Sequence, residues 1–399
     1  MHIGKHWTFL LSATSLAGWV ALAIARGRFW QATLDGHVVA DRPANSRARV
    51  DAIVPARNEA PTVGAAIASL AAQRYEGRLA ITLVDDRSSD GTGLVALAAV
   101  AEGPERARLT VVEGRKLEAP WTGKLNALDA GLAFVRDRRG SPDYWLFTDA
   151  DIEHDPNNVA ELVAKAERDG VELVSLMVRL RCESRWEKLL VPAFIFFFAK
   201  LYPFAWSNES GRSTAAAAGG CVLVRAEALE RIGGLPAIAD RLIDDCALAA
   251  AIKGTGGRTW LGLTSKTWSI RRYETLEPFW SMVKRSAFTQ LDRSYSATVV
   301  ATLTMIVLYV VPPAFFGLAI LRRDARLASV AGSAWALMSM LYLPTLRAYD
   351  RPLREAFALP FAAALYMAMT VDSALAHARG RGGEWKGRTY ARSSGAGAV

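Results

Sequence analysis

Apolar and polar positions change rhythm twice along the chain. Residues 8–25 (TFLLSATSLAGWVALAIA) hold no charge and are followed at once by Arg26 and Arg28. A transmembrane helix needs roughly 20 predominantly apolar residues, whereas a signal peptide has a shorter apolar run and a small-residue cleavage site. The run predicts an N-terminal anchor within residues 1–28. A cleaved signal is the alternative, because LAIARG loosely resembles a cleavage site. Residues 297–321 form a second uncharged run that ends at Arg322, Arg323 and Arg326. Residues 327–346 and 356–371 follow, the last shortened by Pro360 and the flanking Glu355 and Asp372. These runs predict two or three C-terminal transmembrane helices over 297–377, followed by a basic tail over 378–399 with Arg379, Arg381, Lys386, Arg388 and Arg392. The positive-inside rule places Arg26, Arg28 and the middle domain in the cytoplasm, and leaves the side of the tail open.

Residues 48–295 read as a folded domain. Residues 50–55 (VDAIVP) form a buried-strand pattern that runs into Ala56-Arg57-Asn58-Glu59, and a helical stretch follows to about Gln73. Residues 79–84 (LAITLV) form a second strand that ends in the turn DDRSSDGT. Helix is expected over 94–101 and 122–138, and strand over 109–112 and 144–148, the last closing on Asp149-Ala150-Asp151. Short apolar strands alternating with helices indicate an α/β sheet covered on both faces, with ligands at the carboxyl ends of the strands. Those ends carry PARNE, DDRSSDGT and TDAD. No GxGxxG and no GxxxxGK[ST] occurs, so the dinucleotide fold and the P-loop lack support. Residues 186–206 (WEKLLVPAFIFFFAKLYPFAW) are aromatic but broken by Lys188, Lys200, Pro192 and Pro203. Aromatic rings edged by lysine suit a helix lying in the headgroup layer, with a buried core helix as the alternative.

Composition narrows the picture. The 399 residues are 51% hydrophobic and 22% charged, which excludes a disordered polyelectrolyte. Lysine and arginine (48) exceed aspartate and glutamate (39) by nine. Much of that excess lies beside the predicted spans rather than on one soluble face, so nucleic-acid binding is set aside. Cys182, Cys221 and Cys246 are odd in number and lack CxxC spacing. They argue against a disulfide framework or a zinc site, fit a reducing compartment, and are expected to be buried.

The candidate chemistry is acidic. Asp149 and Asp151 close a strand, where a period of two points both carboxylates to one side, half a site for Mg²⁺ or Mn²⁺ completed by water and phosphate oxygens. A lone Asp-x-Asp is common in surface turns, so its reading depends on context. Asp86 also sits at a strand end, where it can accept a hydrogen bond from a base or a ribose hydroxyl. Lys124 opens a helix, where free backbone N–H groups and positive charge suit a phosphate. Arg57 and Glu59 can equally be a helix start, and Ser88 and Asp90 are read as caps of the turn and the helix after Gly91. Gly219-Gly220 reads as a turn entering a strand. Residues 240–248 (DRLIDDCAL) begin a further helix whose acids, Asp244 and Asp245 among them, ordinarily serve the helix dipole, but one of them could accept a proton from a hydroxyl. Arg271-Arg272-Tyr273 and the segment from Trp280 to Lys284 and Arg285 are cationic and aromatic, suited to anionic lipid or to a diphosphate.

Taken in order, IVPARNEA, VDDRSSDGT, GKLNAL, FTDAD, GGCVLVR and IDDCALA resemble the family 2 glycosyltransferases, the inverting GT-A group, over about residues 50–250. The flanking spans and the ending GGEWKGRTY are most similar to the membrane-bound, hopene-associated branch of that family. The resemblance implies a doubly wound mixed GT-A sheet flanked by transmembrane helices. It implies that Pro55, Arg57, Glu59, Asp86, Lys124 and Asp149 bind the nucleotide sugar, and that Asp151, with Asp149, holds a divalent Mg²⁺ or Mn²⁺. Asp245 matches the general base. Asp244, Lys284 and Arg285 are further candidates for diphosphate or acceptor contact, the last two because WSMVKRSAFTQL stands where many members carry Gln-x-x-Arg-Trp. The implied activity is transfer of a sugar from a nucleotide-linked donor, with UDP the expected carrier, to a lipid acceptor such as a hopanoid. The implied setting is the bacterial cytoplasmic membrane, with the catalytic domain facing the cytoplasm. A processive polysaccharide synthase would need more spans than these, and a non-catalytic scaffold would not need acids at 86, 149, 151 and 245.

Overall fold

The computed structural model describes residues 3–31, 46–101, 108–382, 384–385 and 388–389. Their strands are β1 (Val50–Ala56), β2 (Leu79–Asp85), β3 (Leu109–Glu113), β4 (Tyr144–Thr148), β5 (Ile152–Glu153), β6 (Leu173–Leu180), β7 (Cys221–Arg225) and β8 (Thr259–Ser269), followed by a short pair, β9 (Glu384–Trp385) and β10 (Arg388–Thr389). The helices are α1 (Ile3–Ala25), α2 (Ala60–Ala71), α3 (Thr92–Ala98), α4 (Gly123–Arg139), α5 (Asn158–Asp169), α6 (Arg185–Leu201), α7 (Phe204–Ser207), α8 (Ala226–Arg231), α9 (Asp244–Gly254), α10 (Leu276–Ala287), α11 (Tyr295–Met305), α12 (Val311–Arg322), α13 (Ala325–Ala348) and α14 (Leu359–Ala378). Of the tail read as basic, residues 378–382 and the strands β9 and β10 are described, and the rest, with Lys386 and Arg392, lies outside the described residues.

The chain divides into two compact units. One comprises Thr33–Arg181, Trp206–Arg272 and Glu384–Val399, and it contains an eight-stranded sheet in the order β3-β2-β1-β4-β7-β6-β8-β5. The pairs β1–β2, β2–β3, β1–β4 and β6–β8 are parallel, and β4–β7, β6–β7 and β5–β8 are antiparallel. The sheet is therefore mixed, as the fold class requires. Strand alternation builds two apolar layers. Ala52, Val54 and Leu146 face Val63, Ile67 and Leu70 of α2 and Val159 and Leu162 of α5. Ile53, Trp145 and Phe147 face Leu125, Leu128 and Leu132 of α4 and Leu248 and Ile252 of α9.

The chain winds outward from β1 in both directions, through β2 to β3 and through β4. In such sheets ligands collect at that switch point, here beyond the carboxyl ends of β1 and β4. Pro55 is tolerated in this central strand because β4 pairs with β1 only as far as Ile53, so its missing N–H interrupts no ladder there. Helix α4 lies close against β1 and β2. A Cβ at Gly131 would stand 2.6 Å from Ile53 Cγ2 and 2.9 Å from Val84 Cγ2.

The other unit comprises Met1–Ala32, Cys182–Ala205 and Tyr273–Gly383. Four of its helical stretches are long and apolar enough to cross a membrane: His6–Ala25, Tyr295–Arg322, Ala325–Ala348 and Leu353–Ala378. The second of these contains a π turn, Ile306–Val310, just before Pro312 and Pro313. A proline cannot donate to the carbonyl four residues back, and the freed Leu308 carbonyl is taken by Trp19 Nε1 at 2.8 Å and Ser15 Oγ at 3.4 Å. Residues 186–206, expected to lie in a headgroup layer, include α6, whose packing is that of a core helix. Phe196 and Phe197 are buried against Trp19, Tyr309, Tyr342 and Tyr366.

The close seat of α4 generates a test. Gly131→Val gains only a few tenths of a kcal/mol in helix propensity, while overpacking costs about 1–3 kcal/mol. Its thermal midpoint should fall, and an unchanged midpoint would mean that α4 can lift from the sheet without loss.

Candidate active site

One cation organises the acids beyond β4. Lys124, in the first turn of α4, places Nζ 2.8 Å from Asp149 Oδ1 and 3.5 Å from Asp244 Oδ2. Burial alone would lower its pKa, but Asp149, Asp244 and Asp245 outweigh burial and raise it, so the ammonium stays charged. Asp245 stands beside it at the start of α9. Its Oδ2 accepts the Gly219 N–H at 2.7 Å and its Oδ1 accepts the Cys246 N–H at 2.7 Å. Burial, and then the neighbouring Asp244, push the Asp245 carboxyl up to about 6, against the opposing pull of Lys124 and the two amides. Asp149 is raised as well, first by burial, with Asp151 and Asp244 adding to it and Lys124 opposing. A side chain at position 219 would press on this cluster and displace the Lys124 ammonium. A Cβ there would stand 2.8 Å from Lys124 Nζ and 3.3 Å from Asp245 Oδ2.

The two acids of the DAD triplet do not share partners. Strand β4 ends at Thr148, and Ile152 N–H returns to the Asp149 carbonyl in a turn. The alternation that would have sent both carboxylates one way therefore stops a residue too early. Asp149 meets Lys124, whereas Asp151 Oδ2 accepts Ser269 Oγ at 2.7 Å and Arg271 Nε at 3.0 Å. Arg271 Nη2 also donates to Glu59 Oε1 at 2.7 Å, so one guanidinium joins the loop after β1 to the loop after β4. Its sequence context, an Arg-Arg-Tyr run, suited lipid or diphosphate equally well; the signal for this role is its place two residues beyond β8. A cleft of about 460 Å³ opens here, lined by Asn58, Glu59, Thr62, Arg181, Arg271 and Arg272.

The remaining predicted residues fall into two groups. Asp86 is fully buried just past β2, and its N–H pairs with the Ala56 carbonyl at 2.8 Å. Gly114 permits its approach, since a Cβ there would stand 2.9 Å from Asp86 Cα. Arg57 Nη1 donates to the Asp86 carbonyl at 2.6 Å, tying the loops after β1 and β2 together. Asp90, expected as a cap, accepts Ala60 N–H and both the N–H and the hydroxyl of Thr92, while the N-cap position of α3 is Gly91. These hydrogen bonds outweigh its slight desolvation and lower its pKa. The helix expected from 240 begins only at Asp244. Lys284 and Arg285 lie on α10 of the other unit, where Lys284 Nζ pairs with Asp372 at 2.8 Å. Cys221 and Cys246 are buried, as expected, and Cys182 is half-buried. Among the described residues, no group of three or more His, Cys, Asp or Glu side chains is arranged to hold a metal unaided.

The family model described as Glycosyl transferase family 2 matches residues 51–233. No curated protein matches the chain. Among solved structures, it is similar to the mannosyltransferase PcManGT from Pyrobaculum calidifontis, determined in complex with GDP-Man and Mn²⁺. Identity is 20%, the match covers 91% of this chain and 99% of that one, and the TM-score is 0.56. Mannosyl-3-phosphoglycerate synthase from Rubrobacter xylanophilus matches at 20% identity over 62% of this chain and 75% of that chain, with a TM-score of 0.39. Glucosyl-3-phosphoglycerate synthase from Mycobacterium tuberculosis matches at 21% identity over 62% and 80%, with a TM-score of 0.40.

Asp245 makes stability depend on pH in a definite direction. Its folded pKa is raised, so the native chain holds this proton longer than the unfolded chain does, and stability falls as pH rises from the ordinary carboxylate range towards about 6. Asp245→Asn removes that loss. Its thermal midpoint relative to the wild type should rise between pH 4 and pH 6 and level off above; a pH-independent difference would contradict the raised pKa.

Proposed function

We propose, for a chain that is a glycosyltransferase with a family 2 domain in its middle, that it moves a sugar from a nucleotide-linked donor to a lipid hydroxyl with inversion at the anomeric carbon. The observation that carries this reading is the convergence of Asp149, Asp244 and Asp245 on Lys124 at the sheet's switch point. Asp86 and the loop held by Arg57 line the nucleotide side. Lys124 stands where a diphosphate leaves, with its charge kept by the acids around it. Asp245 is the base. A carboxyl raised to about 6 is ionised at neutral pH and more basic than an exposed one, as proton abstraction from a hydroxyl requires. The acceptor oxygen then attacks the anomeric carbon from the face opposite the diphosphate, and a single displacement inverts that centre.

The acid set suits a divalent ion. Glu59, Asp149, Asp151, Asp244 and Asp245 outnumber the cations Lys124 and Arg271 that pair with them, and carboxylate oxygens are the donors that Mg²⁺ and Mn²⁺ take. Asp151 and Asp149 would hold it, where it would supply Lewis-acid charge to the departing diphosphate. The mannosyltransferase structure in complex with GDP-Man and Mn²⁺ supports the use of a divalent ion.

The four apolar helical stretches support a membrane-bound enzyme with a lipid acceptor, and the arginines after residue 25 support a catalytic domain facing the cytoplasm. A hopanoid is the acceptor we propose, from the resemblance of the motifs and the ending GGEWKGRTY.

Full-length protein in detergent, incubated with a panel of nucleotide sugars including the UDP- and GDP-linked ones and with total membrane lipid, should yield a new glycolipid by mass spectrometry. Failure with every donor would sink the reading. Asp245→Asn should abolish transfer while donor affinity changes little, and full turnover in that variant would remove Asp245 as the base. Lys124→Met should move the acidic limb of the pH–rate profile to higher pH, because Lys124 is what holds the Asp245 carboxyl down.

A further inference from the structure

Behind the DAD turn lies a buried polar chain to which the proposed mechanism assigns no task. His154, Thr148 and Asn158 are each almost wholly inaccessible to solvent. His154 Nδ1 lies 2.9 Å from Asn158 Nδ2, and its Nε2 lies 2.9 Å from Thr148 Oγ1. An amide nitrogen can only donate, so Nδ1 accepts and the ring proton is on Nε2, which donates to Thr148. The Thr148 hydroxyl in turn donates to the Gly220 carbonyl at 2.8 Å. Every hydrogen bond in the chain thus runs in one direction, set by the tautomer. Burial pushes the imidazole down to about 4, so it stays neutral in the working range. The backbone that carries the ring is held as well, because the His154 amide N–H donates to Ser69 Oγ at 3.0 Å.

The far end of the chain touches both acids of the site through the backbone. The Gly220 carbonyl that receives Thr148 also receives the Asp149 N–H at 3.4 Å, and the adjacent Gly219 N–H is the donor to Asp245 Oδ2. Gly220 has little room to move, since a Cβ there would stand 3.0 Å from Val178 Cγ2.

We infer that His154 is a positioning residue: through Thr148 its imidazole fixes the Gly219-Gly220 turn to the end of β4, and so sets the spacing between Asp149 and Asp245. The inference rests on the roles proposed above for those two acids. It predicts that losing the chain misplaces the base relative to the donor without removing a donor contact. A misplacement of about 1 Å is worth up to a hundredfold in rate.

The test uses full-length protein in detergent. Thr148→Val keeps shape and loses the hydroxyl, and His154→Leu removes the ring. His154→Gln retains an acceptor for Asn158 and a donor for Thr148. In the first two variants kcat should fall about 10- to 100-fold while the donor KM stays within about threefold, and His154→Gln should recover most of the loss. Hydrogen exchange over residues 215–222, read by mass spectrometry, should quicken in Thr148→Val and His154→Leu and return towards wild type in His154→Gln. If His154→Leu does not fold, Thr148→Val decides. Unchanged kcat and exchange in folded Thr148→Val, or equal damage from Leu and Gln at 154, would overturn the assignment. An inactive wild type would count against the functional reading alone, because the exchange data still decide whether His154 holds the turn.

Discussion

The site depends on a single ammonium. Three carboxylates, Asp149, Asp244 and Asp245, cannot gather in a half-buried crevice as free anions, because each raises the cost of ionising the next. Lys124 makes the gathering possible, with Nζ in direct contact with two of them and its charge lowering the pKa of the third. The compensation is incomplete. Asp245 remains raised to about 6, so it is ionised at neutral pH yet still avid for a proton. Much nearby architecture follows from this contact. Helix α4 must start where its second residue reaches the end of β4, α9 must present its first turn to the same point, and a side chain at position 219 would displace the ammonium.

Arg271 plays the corresponding part for the other acid of the DAD turn. It spans Asp151 and Glu59, residues from two different loops, and Ser269 shares the Asp151 oxygen. The two acids of one triplet are thus committed to two different cations. This arrangement keeps negative charge concentrated without leaving a buried carboxylate unpaired, which would cost several kcal/mol. In the helical unit the same requirement operates on the backbone. Pro312 frees the Leu308 carbonyl, and Trp19 and Ser15 accept the task of satisfying it.

Much of this was legible in the chain itself. Apolar strand runs of the right length gave β1, β2, β3 and β4 to within a residue or two, because β1, β2 and β4 are buried along nearly their whole length and polar residues seldom interrupt their runs. The acids at 86, 149 and 245 and the lysine at 124 were identifiable because each ends a strand or opens a helix. Asp149 and Asp151, expected on one side of β4, stay close enough for Asp151 to raise the Asp149 pKa but meet different cations, because a two-residue period holds only while the strand continues and β4 stops at Thr148. Residues 186–206 left two readings open, and the packing of α6 is that of the second, a core helix. An aromatic helix interrupted by lysines has the same pattern at a headgroup layer as against other aromatic helices, and composition does not name the neighbour.

Arg271 and His154 mark where local pattern ends. Arg271 lies 120 positions from Asp151 along the chain and 212 from Glu59, and no local spacing announces that it will join them. His154 sits three residues past Asp151, but its importance comes from Asn158 on one side and Gly220 on the other. The sequence alone determined the strand-and-helix alternation, the apolar spans and which acids stand at element ends, since these follow from burial and backbone preference over a few neighbouring residues. Only the tertiary structure decided which cation each acid meets, because a charge's partner is set by distance in space and a buried pair is chosen by packing.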